Sequence, residues 1–417
     1  MRRPLYYYTD SHRAHAPRFG VASIEPQGLP HDGDDRRLHE LRLWLSALRP
    51  RHALALDTIR PASNDASFRR YFRIDVVPPA EPAARVDPPI ERDPPAGRRP
   101  APADEGAPIA FDGHASVVAM DAPPPMEDCG PFVHAAQVLH EAGLRVPRVF
   151  AADLARGFLL LEDFGSTTYL ERLHALAHDD ARVDALMRNA VAALVQMQSA
   201  SRPGVFPEYD RALLSRELEL YPAWYVERHR AFTLDDAART TLHEAFERLL
   251  ANNLAQPRVF VHRDWHSRNL MVLEADANPG VLDFQDAVYG PLTYDLVSML
   301  RDAYVEWPEE RQIDWAVRYW EAARARGLPV AADFGEFYRD LEWMGLQRHL
   351  KVLGIFARLH HRDGKDRYLA DLPRVLSYTL HTARRYRDFH ALARLIERIE
   401  SAHQAEPARE PMHGTGG

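Results

Sequence analysis

Three side chains carry oxygens at a spacing that suits phosphoryl transfer: Asp264, Asn269 five residues on, and Asp283 a further fourteen. They lie in Val259-Phe-Val-His-Arg-Asp-Trp-His-Ser-Arg-Asn-Leu-Met-Val-Leu273 and in Gly280-Val-Leu-Asp-Phe-Gln-Asp286. Such a reaction needs one carboxylate to orient the attacking hydroxyl and take its proton. It also needs an Asn and a second Asp to hold Mg²⁺ on the nucleotide phosphates. Asp264 takes the first role in this reading, and Asn269 and Asp283 the second. Mg²⁺ suits that pair, because it binds through one or two protein groups and completes its octahedron with phosphate and water. A rival reading takes His262, Asp264 and His266 as metal ligands, since alternate residues share one face of an extended strand. That hydrolase-like set leaves Asn269 and Asp283 without a task, and no second His/Asp cluster completes it. The spacing favours a kinase.

Positioning these groups falls to short apolar runs. Val259 to Val261 and Leu270 to Leu273 read as strands flanking the polar loop, and Pro279-Gly280 turns the chain into a third strand ahead of Asp283. Upstream, Leu38, Leu41, Leu43, Trp44, Leu45 and Leu48 mark an amphipathic helix from Arg37 to Pro50. Strands are expected at Leu54–Ile59 and Phe68–Val77, around Pro61-Ala-Ser-Asn-Asp-Ala-Ser67, and again at Ser116–Met120 and Phe158–Leu161. A helix from Asp128 to Ala142 stops at Gly143. Beyond residue 164 the period becomes helical over 182–200, 210–229, 235–252, 309–326, 333–363 and 371–403. The predicted class is α+β and bilobal: a small antiparallel-sheet lobe over 37–163 and a larger, mainly helical lobe over 164–403. Residues 1–36 read as a mobile extension or a start placed too early, and 404–417 as a flexible tail. The Pro-, Ala- and charge-rich stretch 78–110 reads as a disordered insertion.

The chain of 417 residues, 46% hydrophobic and 27% charged, is long enough for two cores. A net charge of −8 argues against nucleic acid as a partner. The single cysteine, Cys129, excludes an internal disulfide and suits a reducing compartment. With no apolar run of membrane-spanning length and no signal-peptide core, a cytoplasmic location and no membrane partner are expected. Lysine occurs only at Lys351 and Lys365.

The catalytic loop and Asp283-Phe-Gln-Asp286 resemble the aminoglycoside phosphotransferase branch of the protein-kinase-like fold. Other stretches resemble the anomeric N-acetylmuramate/N-acetylglucosamine kinases of bacterial cell-wall recycling. These are Ser67-Phe-Arg-Arg-Tyr-Phe-Arg73, Met120-Asp-Ala-Pro123, Leu159-Leu-Leu-Glu-Asp163, Tyr289-Gly-Pro-Leu-Thr-Tyr-Asp295, Leu346-Gln-Arg-His-Leu-Lys-Val-Leu-Gly354 and Arg358-Leu-His-His-Arg-Asp-Gly-Lys365. The resemblance runs from about Leu38 to about Ile399. It implies ATP and Mg²⁺ as cofactors and an amino sugar as acceptor, phosphorylated on its anomeric hydroxyl.

Site roles follow from the same resemblance. The turn before Ser67 stands where kinases place a glycine-rich loop, yet holds no glycine, so Asn64, Ser67 and backbone amides would meet the phosphates. No lysine precedes residue 351, so the phosphate-gripping cation would be Arg69 or Arg70, with Glu127 as a candidate partner. Glu162 begins the hinge where backbone meets adenine. His262 would brace the loop, and His266, or else Arg268, would contact the γ-phosphate. Asp286 is either a support for the metal site or a helix N-cap. Tyr225 and Arg301 are candidates for the sugar subsite, although such aromatics are more often core. Alternatives are a kinase for another small hydroxylated acceptor, such as an aminoglycoside or choline, and a nucleotide-binding regulator without catalysis.

Overall fold

The computed structural model describes residues 35–48, 54–64, 68–77, 114–273 and 279–405. The expected N-terminal extension before Asp35, the insertion at 78–110 and the tail beyond Ala405 lie outside the described residues. The first helix, α1 (Arg36–Leu48), buries Leu41, Trp44 and Leu45, which recur at three- and four-residue spacing on one face. Five strands then pair antiparallel in the order β1-β2-β3-β5-β4: β1 (Leu54–Asn64), β2 (Arg70–Val76), β3 (Ser116–Asp121), β4 (Val149–Asp153) and β5 (Phe158–Glu162). β1 runs past the expected Ile59 and through Pro61, so that Asn64 pairs with Arg70. Proline is tolerated there because β1 is an edge strand, with no ladder partner on its outer side.

Every residue of β5 is buried, because the sheet packs on both faces. Phe158 and Leu160 face α1 in a small cluster with Trp44, Phe72 and Val117. Leu159 and Leu161 turn the other way and join one continuous core. That core takes in α2 (Gly130–Glu141) and extends to the last helix.

The remainder is mainly helical. α3 (Tyr169–Ala175) opens on a reciprocal cap between Thr168 and Glu171. Next come α4 (Asp180–Ser199), α5 (Arg211–Leu218), a π-helical segment (Tyr221–His229) and α6 (Asp236–Ala255). Two strand pairs interrupt the helices: β6 (Arg258–Val261) with β9 (Val288–Pro291), and the hairpin of β7 (Leu270–Met271) with β8 (Gly280–Val281). α7 (Tyr294–Leu300), α8 (Glu309–Ala325), α9 (Phe334–Asp363), α10 (Leu372–Arg385) and α11 (His390–Ala405) complete the chain. The expected helical stretch 371–403 is two helices, broken where Tyr386 adopts extended backbone. Among the described residues no helix is long and apolar enough to cross a membrane.

Candidate active site

The loop leaving β6 is clamped from beneath. Asp295, fully buried in the first turn of α7, accepts the backbone N–H groups of His262 (2.6 Å) and Arg263 (2.9 Å). Two successive amides pointing at one carboxylate fix an unusual turn, in which Arg263 holds φ = 75°. Burial pushes the Asp295 carboxyl up to about 7, against the pull of those two amides. A second clamp lies under the loop. Glu217 receives Arg263 Nη2 at 2.6 Å, Lys351 Nζ at 2.8 Å, Gln347 Nε2 at 3.3 Å and the Tyr209 hydroxyl. One of the two lysines of the sequence is thus a buried strut of the helical half.

His262 ties the loop to the neighbouring hairpin. Its Nε2 donates to the Leu282 carbonyl (2.9 Å), and its Nδ1 accepts the Asp264 N–H (3.2 Å). One nitrogen donates and the other accepts, so the ring is neutral with its proton on Nε2. Burial agrees, holding its pKa down at about 4. Asp264 follows in a half-buried position. Burial opposes its charge, but the nearby charges of Lys351, His266, Arg348 and Arg263 outweigh that and keep the carboxyl at about 2. Asp264 is therefore ionised at neutral pH.

Three of the expected residues converge. The Asn269 Nδ2 donates to the Asp264 carbonyl (3.0 Å) and reaches Asp283 Oδ2 at 3.3 Å. Those contacts leave the amide oxygen of Asn269 and the Asp283 carboxylate as neighbouring hard oxygen donors, a set that fits Mg²⁺. Asp283 itself sits at φ = 62°, directly after β8, with Gln285 Nε2 donating to its Oδ1 at 2.7 Å. Gly280 opens β8, and a Cβ there would come within 2.7 Å of the Phe164 ring, so the hairpin packs tightly against the segment that follows β5.

His266 stands two residues beyond Asp264, edge-on to Tyr304, with an enclosed Nδ1 that has no hydrogen-bond partner. Burial lowers its pKa. Arg268 lies over the Tyr304 ring, with its guanidinium carbon 3.6 Å from the centroid. Asp302, two residues beyond the end of α7 and not evident from the sequence, accepts the Ser267 N–H at 2.9 Å.

Other expected residues stand elsewhere. Asn64 ends β1, while Ser67 and the turn before it lie outside the described residues. Arg70 is committed to Asp35 and, at 2.6 Å, to Asp121. Arg69 instead pairs with Glu127 at 3.0 Å, both only slightly exposed. The side chain of Glu162 is buried and held by Arg145 (2.8 Å) and His114 (3.2 Å), leaving only its backbone to face a base. Asp286 is exposed and opens no helix, because β9 follows it. Two acceptor-site expectations fail on burial. Tyr225 is 0% exposed, stacked on Tyr221 with its hydroxyl on Glu400, so it has no free face for a sugar. Arg301 is enclosed between Glu342 (2.6 Å), Thr382 and Gln312, and serves as a structural tie among α7, α8, α9 and α10. Sequence spacing also missed Glu217, Lys351 and Arg348.

With that geometry in place, comparison with known proteins is decisive. Residues 108–334 match the phosphotransferase enzyme family known as APH. The chain belongs to this family. Relatives of this phosphotransferase include the N-acetylmuramate/N-acetylglucosamine kinase of Pseudomonas putida, 42% identical over 89% of this chain and 99% of that protein. The protein of the same name from Neisseria meningitidis is 41% identical over 89% of this chain and 98% of its own length. A choline/ethanolamine kinase family protein from Mesorhizobium loti shares the fold at 14% identity, with a TM-score of 0.50 over 87% of this chain and 99% of that one. The phosphotransferase thus has the α+β kinase-like architecture expected of it, a five-stranded antiparallel sheet joined to a mainly helical half.

Proposed function

We propose that this phosphotransferase moves the γ-phosphoryl group of ATP onto the anomeric hydroxyl of N-acetylmuramate and of N-acetylglucosamine, giving the sugar 1-phosphates in cell-wall recycling. The observation that carries the reading is the convergence of Asp264, Asn269 and Asp283 in a chain matched almost end to end by relatives named for those two sugars. The anomeric oxygen forms a bond to the γ-phosphorus as the bond from phosphorus to the β,γ-bridging oxygen breaks, releasing ADP. Asp264 orients the hydroxyl in line and receives its proton. Its weak basicity is no obstacle, because in a loose transition state the protein mainly positions groups and balances charge.

Asn269 and Asp283 would hold Mg²⁺, which when bound supplies positive charge against the phosphate oxygens. His262 and Asp295 keep the loop at its working distance from that pair. Arg69, held by Glu127, takes the place of the missing lysine on the nucleotide phosphates, a role from which Arg70 is withdrawn by its two carboxylates. His266 is assigned to the γ-phosphate. The single cysteine and the use of ATP support a cytoplasmic location for the reaction.

The test is ³¹P NMR of purified protein with ATP, Mg²⁺ and each sugar. A new sugar 1-phosphate resonance is expected, slowed by about 10²–10⁴ in Asp264→Asn while ATP still binds. ATP left intact with both sugars would remove the acceptor assignment, and near-wild-type turnover by Asp264→Asn would remove the base.

A further inference from the structure

Arg348, on α9, is 3% exposed, and its Nε and Nη1 are enclosed without a hydrogen-bond partner. Two other arginines near the loop are matched: Arg263 with Glu217 and the buried Arg301 with Glu342. No carboxylate among the described residues lies within ion-pair distance of Arg348. A buried, unpaired guanidinium is strongly unfavourable unless something supplies the missing acceptors. It stands beside the catalytic loop: its α9 neighbours Gln347 and Lys351 both reach Glu217, which holds Arg263 of that loop, and its charge acts on Asp264, His266 and Asp295. The enclosed Nδ1 of His266 is a second polar atom in the same place with no partner. The structure therefore holds two unanswered polar groups next to the base.

The direction of approach identifies the ligand that Arg348 answers. α9 packs on α5, α6, α7, α8 and α10, so it reaches the loop from the helical half. The nucleotide is expected at the sheet and at the hairpin that carries Asp283. An anion meeting Arg348 thus belongs to the acceptor. Of the two sugars in the proposed function, N-acetylmuramate carries a lactyl carboxylate and N-acetylglucosamine has a neutral hydroxyl in its place.

We infer that Arg348 is the anion anchor of the acceptor subsite, binding the carboxylate of an acid-bearing amino sugar through its planar fork. The inference rests on the proposed sugar-kinase reading. It makes Arg348 a specificity-determining residue. It also accounts for a buried guanidinium that has no ion-pair partner among the described residues.

The experiment compares kcat/KM of the wild-type protein for N-acetylmuramate, its carboxamide and N-acetylglucosamine, and repeats the series with Arg348→Met and Arg348→Lys. The wild type should prefer the acid over its carboxamide by roughly 30-fold or more, mostly in KM. Arg348→Met should reduce that acid-to-amide ratio to within about threefold, and Arg348→Lys should keep an intermediate ratio, because the charge remains but the fork is lost. The ratio is the readout, since removing a cation near Asp264 slows both sugars alike. A wild type that treats acid and carboxamide equally overturns the inference without any variant. A ratio that survives in Arg348→Met overturns it too, as does a loss confined to the KM for ATP, which would move Arg348 to the phosphates. Failure of the wild type to phosphorylate either sugar is a different result: it removes the proposed function itself.

Discussion

Protonation of His262 should cost the protein a calculable part of its stability. The ring is fully buried, donates to the Leu282 carbonyl and accepts the Asp264 amide, an arrangement open only to the neutral form. Its pKa is held at about 4, against 6.5 for an unhindered imidazole. A depressed folded-state value means that the unfolded chain takes up the proton first. The stabilisation is thus intact above pH 6.5 and lost as the pH falls through 4. At about 1.4 kcal/mol per unit, the difference amounts to about 3 kcal/mol when fully expressed. Between pH 7 and pH 5, linkage makes the loss about 2 kcal/mol. The assay is urea unfolding of the wild type and of His262→Gln at both values, Gln retaining one N–H for the Leu282 carbonyl. Other buried histidines, such as His349 and His266, titrate in both proteins and cancel in the difference. The wild type should lose about 2 kcal/mol more than the variant on going to pH 5. Equal losses in the two proteins would refute the neutral, doubly bonded imidazole and with it the brace between the loop and the Asp283 hairpin.

Glu217→Gln leaves Arg263 and Lys351 buried without their shared counter-charge and should cost about 3–5 kcal/mol in urea unfolding. Adding Lys351→Met should restore part of that, and strict additivity of the two would contradict the network. Gln285→Ala removes a side chain that orients the Asp283 carboxylate and should raise the Mg²⁺ concentration for half-maximal activity by about tenfold. An unchanged Mg²⁺ curve would argue against Asp283 as a ligand. Tyr225→Phe removes the hydroxyl shared by Glu400 and Arg230 and should lower stability by about 1–2 kcal/mol with the sugar KM unmoved. A raised sugar KM would return that ring to the acceptor site.

The sequence revealed most where cause and effect lie close along the chain. Asp264, Asn269 and Asp283 were found from spacing alone, because one loop and one hairpin bring them together. What lay hidden depends on long-range packing. Glu217 is 46 residues from Arg263 and 134 from Lys351, and no local period joins them. In α9 almost every residue from Leu341 to Leu353 is buried, so no polar face stood out. A usable signal existed nonetheless: Gln347-Arg-His349 and Lys351 are polar residues set into an apolar helix, a pattern that a buried site requires. Tyr225 was misleading for the converse reason, since an aromatic at helical spacing reads the same whether it meets solvent or a core. The reach of β1 through Pro61 escaped notice because edge position, which makes a strand proline harmless, is a property of the sheet.

The shared core across the two halves has a consequence for how the protein comes apart. Leu159 and Leu161 of the sheet belong to the same apolar mass as α2 and the terminal helices. Cutting the chain after Asp163 would strip one face of the sheet and expose these leucines together with α2. Neither piece would then be a domain in the sense of a unit that folds by itself. The sheet half and the helical half are thus not exchangeable modules. A chimera that grafts another kinase's sheet onto these helices must carry the inner face of β3, β5 and α2 along with the helical half.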